Sequence, residues 1–221
     1  NDSETLVKKG LLAYPSTRPI NKVLEYSSNP FIPGISGSKE GVMELLRETG
    51  LKNENGSYKA LYELNQEEMT RLITSIMLKT HNKIDTSKLI GNLFLVRFFN
   101  KLEDGRELSA LINACSRMDH PETALGFCLG NKRFREEAEK IYIEYKQNLF
   151  SGLKYLSENN EKEEGKNYMI VNAKNNIKDT IIGTIASMLS HSPTYPEGLV
   201  IVALAYNGEK IKVSARLAGR E

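Results

Sequence analysis

The feature that most constrains this chain is a long periodic run of apolar residues that stops at a stretch containing none. Phe134, Ala138, Ile141, Tyr145, Leu149, Leu153 and Leu156 recur every three or four positions, which is the spacing of one face of an α-helix. Residues 157–167, SENNEKEEGKN, then carry no apolar side chain. A six-turn helix needs a surface to cover its stripe, and the polar run can extend neither that core nor the next. The pattern predicts a helical part over 1–160, with a long linker helix at about 132–156, and a separate compact part over 166–221.

There is enough chain to build both. Of 221 residues, 40% are apolar and 26% charged, the usual balance of a globular protein. The longest apolar run, 199–205, has seven residues, far below the roughly 18–20 that cross a membrane. With no leader pattern either, a soluble cytoplasmic protein is expected. Cys115 and Cys128 are too few for a disulfide framework and read as reduced, packed thiols. Thirty basic against 28 acidic residues leave a net charge of +2, too little to attract nucleic acid in bulk, so any anion site has to be local. The chain opens on Asn1 and runs out at Glu221 in a strand-like stretch. It reads as a region of a longer protein, which leaves room for a catalytic centre outside it.

The elements follow from periodicity and punctuation. Pro15, Pro19, Pro30 and Pro33 break residues 1–36 into short connecting pieces. Val42, Leu45, Leu46 and Thr49 mark a helix from Ser38 that stops at Gly50. Asn65 caps a second helix, with Glu67 and Glu68 in its first turn and Met69, Leu72, Ile73, Ile76 and Met77 on one stripe. Together these make a helical module at about 38–82, whose stripe could serve core or partner. A strand is expected over 89–99. A helix over 106–118 places Leu108, Leu111, Ile112, Cys115 and Met118 on one side and Ser109, Asn113 and Arg117 on the other. A short strand over 124–129 leads into the long helix. In the second part come a strand over 168–173, a helix over 177–190 with Asn176 and Asp179 as a capping pair, and a hairpin turning at Asn207-Gly208. The fold class is mixed α/β, a helical connecting module followed by a small α/β domain ending in an antiparallel hairpin.

Two groups of residues could carry chemistry. With Asn207 and Gly208 as the turn, Leu204 faces Ile211, Val202 faces Val213 and Val200 faces Ala215, one apolar face. Lys210, Lys212, Ser214 and Arg216 then line the other face at period two. Three cations and a hydroxyl in a row suit a phosphate backbone, and they equally suit a solvated sheet face. Asn113 and Arg117 are i,i+4 neighbours that could grip a phosphodiester or a carboxylate together, or form an ordinary helix surface or interdomain contact. His81, His120 and His191 are scattered, and Asp119-His120 lacks further ligands at helix or strand spacing, so no metal site is expected from these residues. No nucleophile elbow, P-loop or dinucleotide fingerprint occurs, and no catalytic residue is assigned.

Several stretches together resemble the archaeal branch of the RecJ-like DHH phosphoesterases, single-strand-specific exonucleases related to a eukaryotic helicase cofactor that works with GINS. Thr17-Arg18-Pro19 and NPFIPGISG at 29–37 are similar to the link after the catalytic DHH portion. ALINACSRM at 110–118 is similar to the family's Asn-Ala-x-Gly-Arg helix, with Asn113 and Arg117 in the matching places. GFCLGN at 126–131 follows as that family's strand does. IIGTIASMLS at 181–190 and KVSARLAGRE at 212–221 look like the start of the DHH-associated, substrate-binding domain, whose Ser-x-Arg strand handles phosphate. The resemblance implies that the whole protein hydrolyses single-stranded DNA or RNA with a divalent metal, Mn²⁺ or Mg²⁺. It also implies that Asn113, Arg117, Lys210, Lys212, Ser214 and Arg216 hold substrate and that a GINS-type replication protein is a partner. The alternative is a non-catalytic replication scaffold that binds single strands and GINS-type partners. The family's metal-binding motifs and its Gly-rich, His-containing loop have no counterpart here, Ser116 stands where Gly is usual, and Asp119-His120 replaces a small or basic pair.

Overall fold

Asn65 shows how local chemistry starts the fold. Its Oδ1 accepts the Glu68 amide at 2.9 Å while the Glu68 carboxylate accepts the Asn65 amide at 3.0 Å, so two otherwise unpaired donors of a helix start are satisfied reciprocally. The computed structural model describes residues 5–13, 15–27, 30, 32–80, 89–159, 162–192 and 194–219. The chain is mixed α/β and divides into two compact units, Asn1–Ala110 and Leu111–Glu221. The boundary expected near residue 160 falls within the second of these.

The first unit holds β1 (Thr5–Leu11), α1 (Ile20–Glu25), α2 (Lys39–Thr49), a 3₁₀ turn (Leu61–Glu63), α3 (Gln66–Lys79), β2 (Ile90–Phe98) and β3 (Lys101–Asp104). The three strands form an antiparallel sheet in the order β1-β2-β3. β1 lies in the region read as connecting, because the prolines that break it begin only at Pro15, beyond the strand. β3 returns from β2 through Phe99 and Asn100, at φ 51° and 60°, a left-handed pair that a two-residue hairpin loop requires. α2 starts where Ser38 Oγ accepts the Gly41 amide at 3.0 Å and ends at Gly50 with φ 65°, both as expected. Met69, Leu72 and Ile76 of α3 are buried with Leu11, Leu24, Leu46 and Leu61, and Ile73 and Met77 pack against the same cluster. The stripe therefore serves the core.

The division between the units falls within α4 (Gly105–Arg117). The second unit continues with α5 (Pro121–Cys128), α6 (Lys132–Glu158), β4 (Lys162–Glu164), β5 (Tyr168–Asn172), α7 (Asp179–Ser190), β6 (Val200–Asn207) and β7 (Lys210–Leu217). Its sheet runs β4-β5-β6-β7, with β5 and β6 parallel across the α7 connection and the other pairs antiparallel.

Four expectations are corrected here. Residues 124–129 belong to a helix rather than a strand: Pro121 occupies its first turn, where a missing N–H is harmless, and Thr123, Gly126 and Phe127 are buried at helical spacing. A methyl group on Gly126 would lie 2.2 Å from the Phe134 ring, so α5 and α6 approach too closely for any larger residue. The polar run 157–167 is more than a linker, since β4 within it pairs with β5. Asn176 and Asp179 do not cap α7: Asn176 Nδ2 donates to Tyr155 Oη at 2.9 Å, and Asp179 accepts from Asn207 Nδ2 at 2.7 Å. Of the two thiols expected to be packed, Cys115 is buried and Cys128 is exposed.

Candidate functional site

The hairpin forms with its register two residues from the expected one. Asn207 pairs with Lys210, so the loop is Gly208-Glu209, and Leu204 opposes Val213 rather than Ile211. Gly208 takes φ 57° as the first loop residue. A two-residue shift leaves each side chain on the same sheet face, because strand side chains alternate with period two. What differs is which face is covered. Ile201, Ala203, Ala205 and Ser214 are buried, whereas Ile211 and Val213 are 58% and 57% exposed. The face bearing Lys210, Lys212, Ser214 and Arg216 is thus the one α7 lies against. α7 lies close to this face: a methyl group on Gly183 would sit in ordinary contact with Ser214 Oγ, at 3.4 Å, and the small Ala203 opposes Ser214. The aliphatic face of Val200, Ile211 and Val213 is left open.

Lys210, Lys212 and Arg216 remain exposed on β7, the outermost strand of the sheet order, while Ser214 between them is buried. At about 3.4 Å per residue the row extends roughly 20 Å. Arg216 Nη1 donates to the Ala215 carbonyl at 2.7 Å, so the guanidinium folds back along its own strand.

On α4, Asn113 is exposed and Arg117 is half-buried. The Arg117 side chain is not a free surface group, because Nη1 donates to the Thr180 carbonyl in the first turn of α7 at 2.8 Å. The neighbouring residue, Asp179, accepts from Asn207, the pairing partner of Lys210. Arg117 and the Lys210 end of the row are therefore joined through the first turn of α7, while Arg216, which pairs with Ile201, lies at the far end of the strand.

Among the described residues no three His, Cys, Asp or Glu side chains are grouped to hold a metal ion. His120 Nδ1 lies 3.4 Å from Glu122, Asp119 takes φ 66°, and His191 Nδ1 meets the Ser187 carbonyl at 2.7 Å. His81 lies outside the described residues. These side chains do not fit a divalent centre of the kind the resemblance implies.

The residue types surveyed in the sequence did not bring forward a buried charged cluster in the first unit. Asp104 is fully buried, and its Oδ2 accepts the Ser16 hydroxyl at 2.6 Å and the Ser16 amide at 2.8 Å, while Oδ1 accepts the Arg106 amide at 2.9 Å. Burial acts to raise its carboxyl, but the Ser16 and Arg106 donors outweigh it and hold it below the usual range. Three residues on, Glu107 pairs with the Arg18 guanidinium. Burial pushes the Glu107 carboxyl up, and Glu103 and Asp104 add to this against the pull of Arg18. The signal in sequence was Asp104-Gly105-Arg106, an acid set to cap α4.

Residues 14–93 match the family described as DHH-CID domain. The match covers α1, α2 and α3 and enters β2; Asn113, Arg117 and the β7 row lie outside it. No curated protein matches the chain.

Proposed function

We propose that this chain is the substrate- and partner-binding region of a RecJ-like DHH phosphoesterase that hydrolyses single-stranded DNA or RNA, of the archaeal, GINS-associated type. The observation that carries this reading is the DHH-CID match at residues 14–93. The exposed cations support it: Lys210, Lys212 and Arg216 give a strip of positive charge where the net charge of the whole chain is only +2, which is the local rather than global attraction that phosphate contact requires. In this reading Lys210 and Lys212 supply charge, Arg216 supplies directional donors, and Asn113 offers its exposed amide beside Arg117. Ser214, buried beneath α7, holds the helix close to the strand. The described residues contribute grip and register, and the divalent metal of such an enzyme belongs to other residues. No helix among the described residues is long and apolar enough to cross a membrane, which accords with a cytoplasmic role.

A second reading, a non-catalytic scaffold that binds single strands and docks onto GINS-type partners, is favoured by the open aliphatic face of Val200, Ile211 and Val213, since large apolar side chains gathered on an exposed face mark interaction surfaces. The test is direct titration of the chain with a labelled single-stranded oligonucleotide and its duplex at low and moderate salt. Preferential, salt-sensitive binding of the single strand is expected. Equal or absent binding of both would overturn the single-strand grip that this reading and the scaffold reading share.

A further inference from the structure

Between β1 and α1 the chain passes through residues 15–18, and two carboxylates hold that link from the β3–α4 corner in different ways. Asp104 is fully buried and grips Ser16 through both its amide and its hydroxyl. Glu107 grips Arg18 through a single ion pair whose partners are unequal: the Glu107 side chain is 10% exposed and that of Arg18 62%. The groups facing Glu107 are Arg18 from the link and Glu103 and Asp104 from β3, with Arg106 preceding it on α4. Glu103 and Asp104 repel its carboxylate and burial disfavours its charged form, while Arg18 and the N-terminus of α4, in whose first turn Glu107 lies, favour ionisation.

We propose that the Arg18–Glu107 pair is a proton-operated latch on residues 15–18: a proton on Glu107 neutralises the carboxylate and releases the Arg18 guanidinium to solvent, while Asp104 keeps its hold on Ser16. The two acids then act in sequence as the pH falls. Glu107, raised by burial, takes up its proton first, and Asp104, held down by its donors, takes up its proton last. Release is therefore graded, with the guanidinium freed before the link detaches. The latch involves only the first unit and does not depend on nucleic-acid binding.

The experiment is an NMR titration of the full chain that follows the Glu107 side-chain carboxyl carbon, the Arg18 Nε–Hε pair and the Ser16 amide. Glu107 is expected to titrate above the ordinary glutamate value of about 4.3, with the Arg18 signal moving at the same midpoint and Ser16 unmoved until lower pH. In Arg18→Gln, a change at an exposed side chain, the Glu107 midpoint should rise further because the cation paired with it is gone. Glu107→Gln should show the released Arg18 signal at every pH. Should Glu107→Gln fail to fold, the wild-type and Arg18→Gln titrations decide the matter. A Glu107 midpoint at or below the ordinary value, an Arg18 signal indifferent to that titration, or an unchanged midpoint in Arg18→Gln would overturn the latch.

Discussion

Arg117 Nη1 donates to the carbonyl oxygen of Thr180 at 2.8 Å, tying the last turn of α4 to the first turn of α7. The side chain is thus a structural strut before it is anything else, and its contribution to stability can be separated from any contribution to binding. Removing a charged donor from a half-buried carbonyl costs about 1.5–3 kcal/mol, whereas a change at an exposed helix position is usually within about 0.5 kcal/mol. Arg117→Ala should therefore lower unfolding stability clearly and Asn113→Ala should not. Urea denaturation of the two variants checks this, and equal stability would show the strut to be idle.

Two glycines of the second unit should respond oppositely to alanine. A methyl group on Gly183 meets Ser214 Oγ at 3.4 Å, an ordinary contact, and replacing a helical glycine by alanine adds about 0.5–1 kcal/mol. On Gly126 the same group would lie 2.2 Å from the Phe134 ring, and forcing that ring aside costs about 1–3 kcal/mol. Thermal melts should show Gly183→Ala more stable than the natural chain and Gly126→Ala less stable.

The sheet faces make a further distinction. Val213→Ala should have a small effect, because its side chain is 57% exposed in this unit. Ser214→Leu should destabilise by about 1–3 kcal/mol by overfilling the space beneath α7. The reverse order would mean that the aliphatic face is the covered one.

Sequence alone resolves these two sheet faces only in part. Alternation along β6 and β7 was legible, and it correctly separates Val202, Leu204, Ile211 and Val213 from Lys210, Lys212, Ser214 and Arg216. Alternation does not say which side is inside. Hydropathy suggested the aliphatic side, yet α7 lies against the face of Ala203, Ala205 and Ser214. Caps with a local partner, Ser38, Asn65 and Gly50, were legible, as was the long helix α6. β1 was not, because its partner β2 lies about 80 residues further along the chain, and β3 and β4 were not, because KLED and KEE are short, mostly charged segments without apolar alternation. Asp104 was passed over for a similar reason: its value lies in Ser16, 88 residues away along the chain.

Asp104 and Glu107 give the pH dependence of stability two opposite slopes. The Asp104 carboxyl is depressed in the folded state, so its contribution is present above the ordinary aspartate value of about 3.9 and is lost as pH falls through the lower folded value. The Glu107 carboxyl is raised, so the folded state binds more protons between the ordinary glutamate value and the folded one. Stability therefore falls as pH rises through that window. Denaturation series should show Glu107→Gln removing the fall on the neutral side of the curve and Asp104→Asn removing part of the loss on the acid side, with Asp104→Asn far less stable at neutral pH.

The central claim is that the cations of β7 hold phosphate, and its most direct measurement is the affinity of a labelled single-stranded oligonucleotide for the natural chain, Arg216→Ala and Lys212→Ala at two salt concentrations, with Val213→Ala as control. The account predicts that Arg216→Ala weakens binding by about 1.5–3 kcal/mol through lost charge-assisted bonds. Lys212→Ala should weaken it less and lower the slope of log affinity against log salt by about 0.7, one single-strand phosphate contact. Val213→Ala should bind like the natural chain. If Arg216→Ala and Lys212→Ala also bind like the natural chain at both salt concentrations, the row is a solvated sheet edge and the claim is wrong.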